Sequence, residues 1–495
     1  MTETKIIVLD DDPTGSQTVH SCLLLTRWDV DTLKEGLQDA SPLFFVLTNT
    51  RGMDAARAAD VTREVCVNLK HALSELAAQG QRINPIMVSR SDSTLRGHYP
   101  VETDVIAEEL ARISHHTSTA AVDASDLSSR LDVVSTTPLP PSGPSDPSDR
   151  RLDTLVTTCG EKCGLGPFDA HFIVPAFFEG GRITRDSIHY LMVDGRPVPV
   201  HETEFARDSV FGYSHSYLPD YVEEKTQGRI KAAEVKRFLL NDVRGDNTQR
   251  LMALRNNTCC VVDAEQQSDL GHFCAQLSAA AGEGKRFLFR SAASLLTAFA
   301  QLPPQPVKAE DMGSYTRNGK AGAVIVGSHV KKTTAQLNEL LTRPGLQGVE
   351  VDVELIGTQY NELLATTWER INHLHQEGIT AVVYTSRTEK QFQNQSERLQ
   401  FGELVSRFLM DVVKNLPSTL GFLISKGGIT SNDVLSTGLA LRASRVLGQI
   451  LPGCSVVRCP QSHPRFSGLP VVIFPGNVGD DEALAKVYDR MSRRA

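Results

Sequence analysis

The sequence predicts an α/β protein made of two α/β domains with mainly parallel sheets. Three observations predict it. Short apolar runs recur along the chain, separated by stretches long enough for a crossover helix. The alternation stops at a proline-rich stretch near residue 301 and then restarts. At 495 residues, the chain is also longer than one hydrophobic core usually organises.

Taken in order, Ile6 to Leu9 read as a buried parallel strand because the run is continuous rather than alternating. It ends in Asp10, Asp11 and Asp12 and a Pro13-Thr14-Gly15 turn. The carboxyl end of a strand is where open α/β sheets bind ligands. Acids after a strand can also cap a helix or turn, but three adjacent ones exceed what one cap needs. Leu43 to Leu47, Pro85 to Ser89, His171 to Val174, Cys259 to Asp263 and Arg286 to Arg290 supply further strands. Between the second and third runs, Val61, Val65, Leu69, Leu73 and Leu76 recur at three- and four-residue spacing, so Ala58 to Ala78 is an amphipathic helix covering the sheet.

A stretch rich in Ser, Thr, Pro and Asp, about 115–160, interrupts this grammar and reads as a disordered insertion, because strand-like sequence resumes at Phe168. Gln301 to Gly313 carries breakers without periodicity and reads as a linker. Beyond it, Ala321 to Val326, Ala381 to Thr385, Leu420 to Ile424 and Pro470 to Phe474 are strands, and Val434 to Leu447 reads as a helix. The expected division is a first domain over 1–300, a linker over 301–319 and a second domain over 320–495.

Apolar content of 40%, charged content of 22% and a net charge of -8 describe a globular protein without a basic footprint for nucleic acid. No run reaches membrane-span length and the amino terminus lacks a secretory pattern, so no membrane partner and a cytoplasmic location are expected. Nine scattered cysteines fit buried thiols in a reducing compartment. Cys159 and Cys163 lack a second ligand pair and do not read as a zinc site.

Candidate chemistry gathers at strand ends. In Ser89 to His98, Arg90 and Arg96 can each grip a carboxylate, Asp92 can accept a proton or hold a hydroxyl, and Gly97 allows close backbone approach. Arg51 stands at the end of the Leu43 run. Three polar loops at three strand ends suggest a small-anion site. In the second domain, Gly427 and Gly428 permit a tight turn before a helix that Thr430 or Ser431 can cap. Gly327 with Ser328, and the glycines of Gly476 to Gly479, repeat that logic. Together they suggest nucleotide phosphates, although no GxxxxGK[ST] or GxGxxG motif is present.

The segments LDDDPTGS, SRSDSTLRGH, the helix-and-turn segment HETEFARDSVFGYSHS, VIVGSHVKKTTAQL, SKGGITSNDVL and FPGNVGDDEAL resemble, in that order, motifs of the four-carbon acid sugar kinase family. The resemblance spans nearly the whole chain. It implies an acid-sugar-binding first domain, an ATP-binding second domain and an active site in the cleft between them. There the γ-phosphate of ATP would pass, with Mg²⁺, to a hydroxyl of a tetronate or 3-oxo-tetronate. The acidic motif falls on Asp11, Asp12, Thr14 and Gly15, and the next on Asp92, Ser93, Thr94, Arg96 and Gly97. The nucleotide motifs fall on Ser328, on Gly427, Gly428, Ile429 and Thr430, and on Gly476, Asn477 and Gly479. Departures at Asp10, Pro13, Ile429 and FPGNVG leave the substrate open.

Asp12 is the first candidate for general base or hydroxyl orienter and Asp92 the second. Sequence does not separate Asp11 from Asp12. Metal ligands are unassigned, and the oligomeric state is open, a homodimer being one option. A rival reading is a haloacid-dehalogenase-like phosphatase, with Asp10 as nucleophile, Asp12 as acid and Asp480 and Asp481 on a metal. The separation of the two acid groups by nearly the whole chain opposes it. A non-catalytic acid-sugar sensor would not need paired phosphate cradles.

Overall fold

The computed structural model describes residues 3–112, 165–328, 330–387, 395–476 and 478–492. The insertion near 115–160, the Cys159 and Cys163 pair and Asn477 lie outside them. The first half contributes β1 (Glu3–Asp10), β2 (Leu23–Leu25), β3 (Leu43–Leu47), β4 (Ile83–Arg90), β5 (Ala170–Val174), a separate antiparallel meander β6 (Arg182–Arg185), β7 (Ile188–Val193) and β8 (Arg196–Pro199), then β9 (Lys236–Phe238), β10 (Thr258–Val262) and β11 (Phe287–Ser291). The second half contributes β12 (Ala323–Val326), β13 (Leu346–Val351), β14 (Thr380–Thr385), β15 (Leu423–Lys426), β16 (Ala443–Leu451), β17 (Cys454–Arg458) and β18 (Pro470–Phe474).

All but the meander belong to one sheet, ordered β13-β14-β12-β15-β18-β17-β16-β2-β3-β1-β4-β11-β5-β10-β9. The expected two parallel sheets are thus present but fused. The joint is an antiparallel pair of β16 with the short β2, between Ala443 to Arg445 and Leu25 to Leu23. Charged contacts reinforce it: Arg445 pairs with Asp39 at 2.7 Å and Arg442 with Asp29 at 3.1 Å.

Register positions the functional loops. Asp10 lies opposite both Leu47 and Arg90, so the chain leaves β1, β3 and β4 at one level. In the second half Lys426 lies opposite Val326 and Phe474, so the loops beginning at Gly327, Gly427 and Pro475 emerge side by side. Continuous burial of Ile6 to Asp10 follows from helices on both faces of a parallel sheet. One of these, Ala55–Ala78, buries the expected Val61, Val65, Leu69, Leu73 and Leu76, and Asp54 caps it by accepting from the Arg57 amide.

Three expectations need correction. The Val434 to Leu447 segment is not a helix throughout: a helix over Gly428–Asp433 continues as a π-helical turn to Gly438, and Ala443 onward is β16. Ala440, at φ 50, turns the chain, and the open edges of β2 and β17 recruit an apolar run whose period alone is ambiguous. The segment from His201 holds only two short 3₁₀ turns, Val200–Glu202 and Glu204–Arg207. The stretch after Gln301 is not merely a tether, since Met312 is fully buried in the second half's core beside Phe422 and Ile450.

Seven cysteines lie among the described residues, all buried free thiols. No helix among the described residues is long and apolar enough to cross a membrane.

Candidate active site

A cavity of about 740 Å³ opens where the two sets of loops meet. From the first half it is lined by Asp12, Thr14, Arg51, Arg90, Asp92, Ser93, Thr94 and Arg96. From the second half come Ser328, Gly428, Ile429, Gly476 and Gly479. The remaining candidates stand behind this wall: Asp11, Gly15, Gly97, Gly427 and Thr430 do not reach it.

The three adjacent aspartates have three different environments. Asp10 is fully buried, neither carboxylate oxygen has a hydrogen-bond partner, and Gly15 covers it so closely that a Cβ there would fall 2.0 Å from Oδ2. Burial, only partly offset by Arg90 at 3.6 Å, pushes its pKa up to about 8. A neutral carboxyl sealed under a glycine cannot be the nucleophile of a phosphatase. Asp11 is buried too, but its oxygens accept from Arg51 Nε at 3.1 Å and from Ser91 Oγ at 2.8 Å. Its task is to hold Arg51 and the next loop.

Asp12 faces the cavity. It accepts from the Thr14 amide at 2.9 Å, from the Thr14 hydroxyl and from Arg51 Nη1 at 3.3 Å. Burial alone would raise its pKa, but Arg51, Thr14 and Arg90 outweigh that and hold the carboxyl below its ordinary value. Geometry therefore separates what sequence could not, Asp12 from Asp11.

The loop from Ser91 to Gly97 carries the second acid. Asp92 accepts from Arg96 Nε at 2.7 Å and from the Thr94 hydroxyl. Against burial, Arg51, Arg96 and Thr94 hold it well below the usual carboxylate range, so it is an anion and not a proton reservoir. Gly97, at φ 119, lies where a Cβ would meet Ser91 Oγ at 2.2 Å.

What fixes this loop was not visible in the sequence. His189 Nε2 donates to the Ser93 carbonyl at 2.7 Å, Tyr213 to Thr94 at 2.6 Å and Tyr221 to Leu95 at 2.8 Å. Arg290 donates to the carbonyls of Asp92 at 3.2 Å and Arg96 at 2.9 Å. Because a carbonyl only accepts, His189 carries its proton on Nε2, and Nδ1 accepts from Thr184 at 2.9 Å. Burial pushes the pKa of this imidazole down to about 4, consistent with a neutral ring.

In the second half, Gly427 takes φ 118 and starts the helix, and no side chain caps it. The expected caps are spent elsewhere: Ser431 bonds Ser425 Oγ at 2.8 Å, and Thr430 packs beneath Gly327, where a Cβ would lie 2.3 Å from its hydroxyl. Lys426 is the unforeseen element. Fully buried, it donates to the carbonyls of Pro475 at 2.5 Å and Gly476 at 3.1 Å and lies 4.2 Å over the Phe474 ring. Burial pushes its pKa down to about 7. It ties the loop after β18 to the loop after β15. Lys332 donates to the Gly479 carbonyl at 3.1 Å, and Arg387 to that of Ser328 at 2.7 Å. The second-half wall thus consists of small residues braced by the side chains of Lys426, Lys332 and Arg387. Ile429 is 67% exposed and offers an apolar face at its rim.

No group of three or more His, Cys, Asp or Glu residues suited to a metal ion occurs among the described residues.

Two family models match the chain. Residues 6–125 and 151–299 match a sugar-binding N-terminal domain, and residues 323–484 a nucleotide-binding C-terminal domain. Haemophilus influenzae protein HI1011 is similar in fold at a TM-score of 0.58 and 14% identity, covering 98% of this chain and 100% of that one. A Salmonella typhimurium LT2 protein that carries the provisional name of a tRNA synthase is similar at a TM-score of 0.63 and 17% identity, covering 98% of each chain. Among curated proteins, none matches the chain.

Proposed function

The chain belongs to the four-carbon acid sugar kinase family, a sugar-binding N-terminal domain followed by a nucleotide-binding C-terminal domain, and from that premise we propose that it transfers the γ-phosphate of ATP to a hydroxyl of a small acid sugar of the tetronate or 3-oxo-tetronate class. The observation that carries the proposal is the approach of Asp12, from the sugar half, to Gly428, from the nucleotide half, inside one cavity. A kinase must bring acceptor and donor together at such a point.

On this reading, residues 1–300 hold the acceptor and residues 320–495 the nucleotide, with 301–319 connecting them. Phosphoryl transfer needs little covalent help and depends on alignment and charge neutralisation. The phosphates lie against Ser328, Gly428, Gly476 and Gly479, where side chains are small enough for the backbone to approach. Asp12 orients the attacking hydroxyl. Its depressed pKa makes it a weak base in the ground state, so its main contribution is to align the hydroxyl and receive the proton as transfer proceeds.

Mg²⁺ fits the donors present. It is usually bound by one or two carboxylates together with substrate phosphates, so no protein cluster of three is required. Asp12, and Asp480 on the opposite wall, are the carboxylates that would hold it. When bound, it neutralises charge on the phosphates. The buried free thiols accord with a reducing, cytoplasmic setting.

The test is ADP release by purified protein with ATP and Mg²⁺ against a panel of four- and five-carbon acid sugars. ADP formed in step with one member supports the kinase. Phosphate release from sugar phosphates without ATP sinks it.

A further inference from the structure

Four arginines line the cavity, and three of them are already engaged by acids. Arg51 spans Asp11 and Asp12, at 2.5 and 3.3 Å. Arg90 faces Asp10 at 3.6 Å and Asp11 at 4.0 Å. Arg96 is held by Asp92 at 2.7 Å and Asp208 at 3.5 Å, with Phe205 4.9 Å below its guanidinium. These contacts occupy the two arginines that sequence favours for gripping an acid, Arg90 and Arg96.

Arg182 is different. It opens β6, in a meander that no motif indicated. Among the described residues it makes no ion pair. Its only side-chain hydrogen bond runs from Nη1 to the carbonyl of Gly180, while Nε is buried without a partner. The Phe177 ring lies 5.9 Å from the guanidinium. Burial lowers its pKa against the opposing charge of Asp92, with Arg96 adding to the lowering and Glu204 opposing it, and no acid pairs with the guanidinium among the described residues. An unsatisfied buried donor on an arginine is costly, and a planar carboxylate is the group its fork matches best.

We propose that Arg182 is the residue that binds the carboxylate of the acceptor, and so selects acid sugars over neutral ones. This rests on the acid-sugar kinase reading. Anchoring the carboxylate at Arg182, near Asp92 and Arg96, leaves the sugar chain free to extend along the same wall toward Asp12. The phosphates of ATP bind on the opposite half and do not need this residue.

The experiment compares wild type, Arg182→Met and Arg182→Lys by calorimetry, with a four-carbon aldonate, the matching uncharged aldonamide and ATP, alongside melting curves. The expected result for Arg182→Met is aldonate binding weakened roughly 10- to 100-fold, the scale of a charge-assisted contact, with aldonamide and ATP affinities unchanged and Arg182→Lys intermediate. Unchanged aldonate binding in a folded Arg182→Met protein overturns the assignment, as does equal loss for aldonate and aldonamide, or a loss confined to ATP. If Arg182→Met does not fold, Arg182→Lys decides by the same aldonate-to-aldonamide ratio. A wild-type protein that binds aldonate through Arg182 but releases no ADP overturns the kinase reading alone, and one that binds no aldonate overturns both.

Discussion

A Cβ placed on Gly428 would stand 3.3 Å from Oδ2 of Asp12. The glycine opens the helix after β15 and the aspartate belongs to the loop after β1, so the two halves of the chain approach each other inside the cavity, where acceptor and donor would meet on the reading proposed above. On that reading Gly428 is more than a phosphate cradle. Any side chain there would press on the acid across the cavity as well as on a bound nucleotide.

Gly428→Ala should accordingly raise the Michaelis constant for ATP and lower turnover together. Gly428→Val should do so more strongly, by something like ~10-fold or more in each constant, while acceptor binding changes less. Steady-state kinetics with each substrate varied in turn measures this. An effect on the ATP constant alone would mean that the added group does not disturb Asp12.

Asp12→Asn keeps the shape of the side chain but removes its charge. Turnover should fall by ~10²- to 10⁴-fold, the scale of losing a positioned acid or base, with acceptor binding retained in calorimetry. The pH profile adds a sign. Because Asp12 and Asp92 are both held below the ordinary carboxylate pKa, neither accounts for any loss of activity between pH 5 and 7. A folded Asp12→Asn protein with near-normal turnover would move the role to Asp92.

Tyr213→Phe tests the scaffold behind the acceptor loop. Removing one hydroxyl leaves the buried Thr94 carbonyl without its 2.6 Å donor, at a cost of about 1 to 3 kcal/mol. The loop that carries Asp92 and Arg96 should loosen, raising the Michaelis constant for the acceptor while ATP binding stays level. If both constants move equally, or neither does, the tyrosine supports the fold and not the loop.

These residues also mark what the sequence could and could not disclose. The strands after which the cavity-lining loops emerge are continuous apolar runs, and the motifs sit directly at their ends, so the placement of Asp12, Asp92 and Gly428 at strand ends was legible. The scaffold was not. His189, Tyr213, Tyr221 and Arg290 all donate to backbone carbonyls of residues 92–96, from positions about a hundred or more residues away, and a carbonyl leaves no trace in side-chain pattern. Arg182 was missed because the meander holding it has short, half-exposed strands without clear alternation. β16 was misread because its apolar spacing suits a helix as well as a strand, and only the waiting edges of β2 and β17 decide between them.

Asp10 separates structure from chemistry within the acidic cluster. Its pKa is about 8 in the folded protein against 3.8 as the ordinary value, with burial the largest cause. Below about pH 4 the group is protonated folded or unfolded and costs nothing. Between there and about pH 8 the unfolded chain has released a proton that the folded state keeps, so stability falls as pH rises. Above that range the carboxylate ionises in place and the loss is complete. Asp10→Asn is neutral at every pH and removes this dependence. The variant's melting temperature should therefore gain on wild type from pH 5 to pH 9, by on the order of a few °C. Its activity with ATP should persist, because Asp10 lies beneath Gly15 and does not line the cavity. If Asp10 instead stands ionised against Arg90, the substitution breaks a buried ion pair, and the variant melts lower than wild type at both pH values. If it is a phosphatase nucleophile, the variant is folded and inactive. Paired melting curves, ADP-release assays and assays of phosphate release from sugar phosphates at the two pH values distinguish all three outcomes.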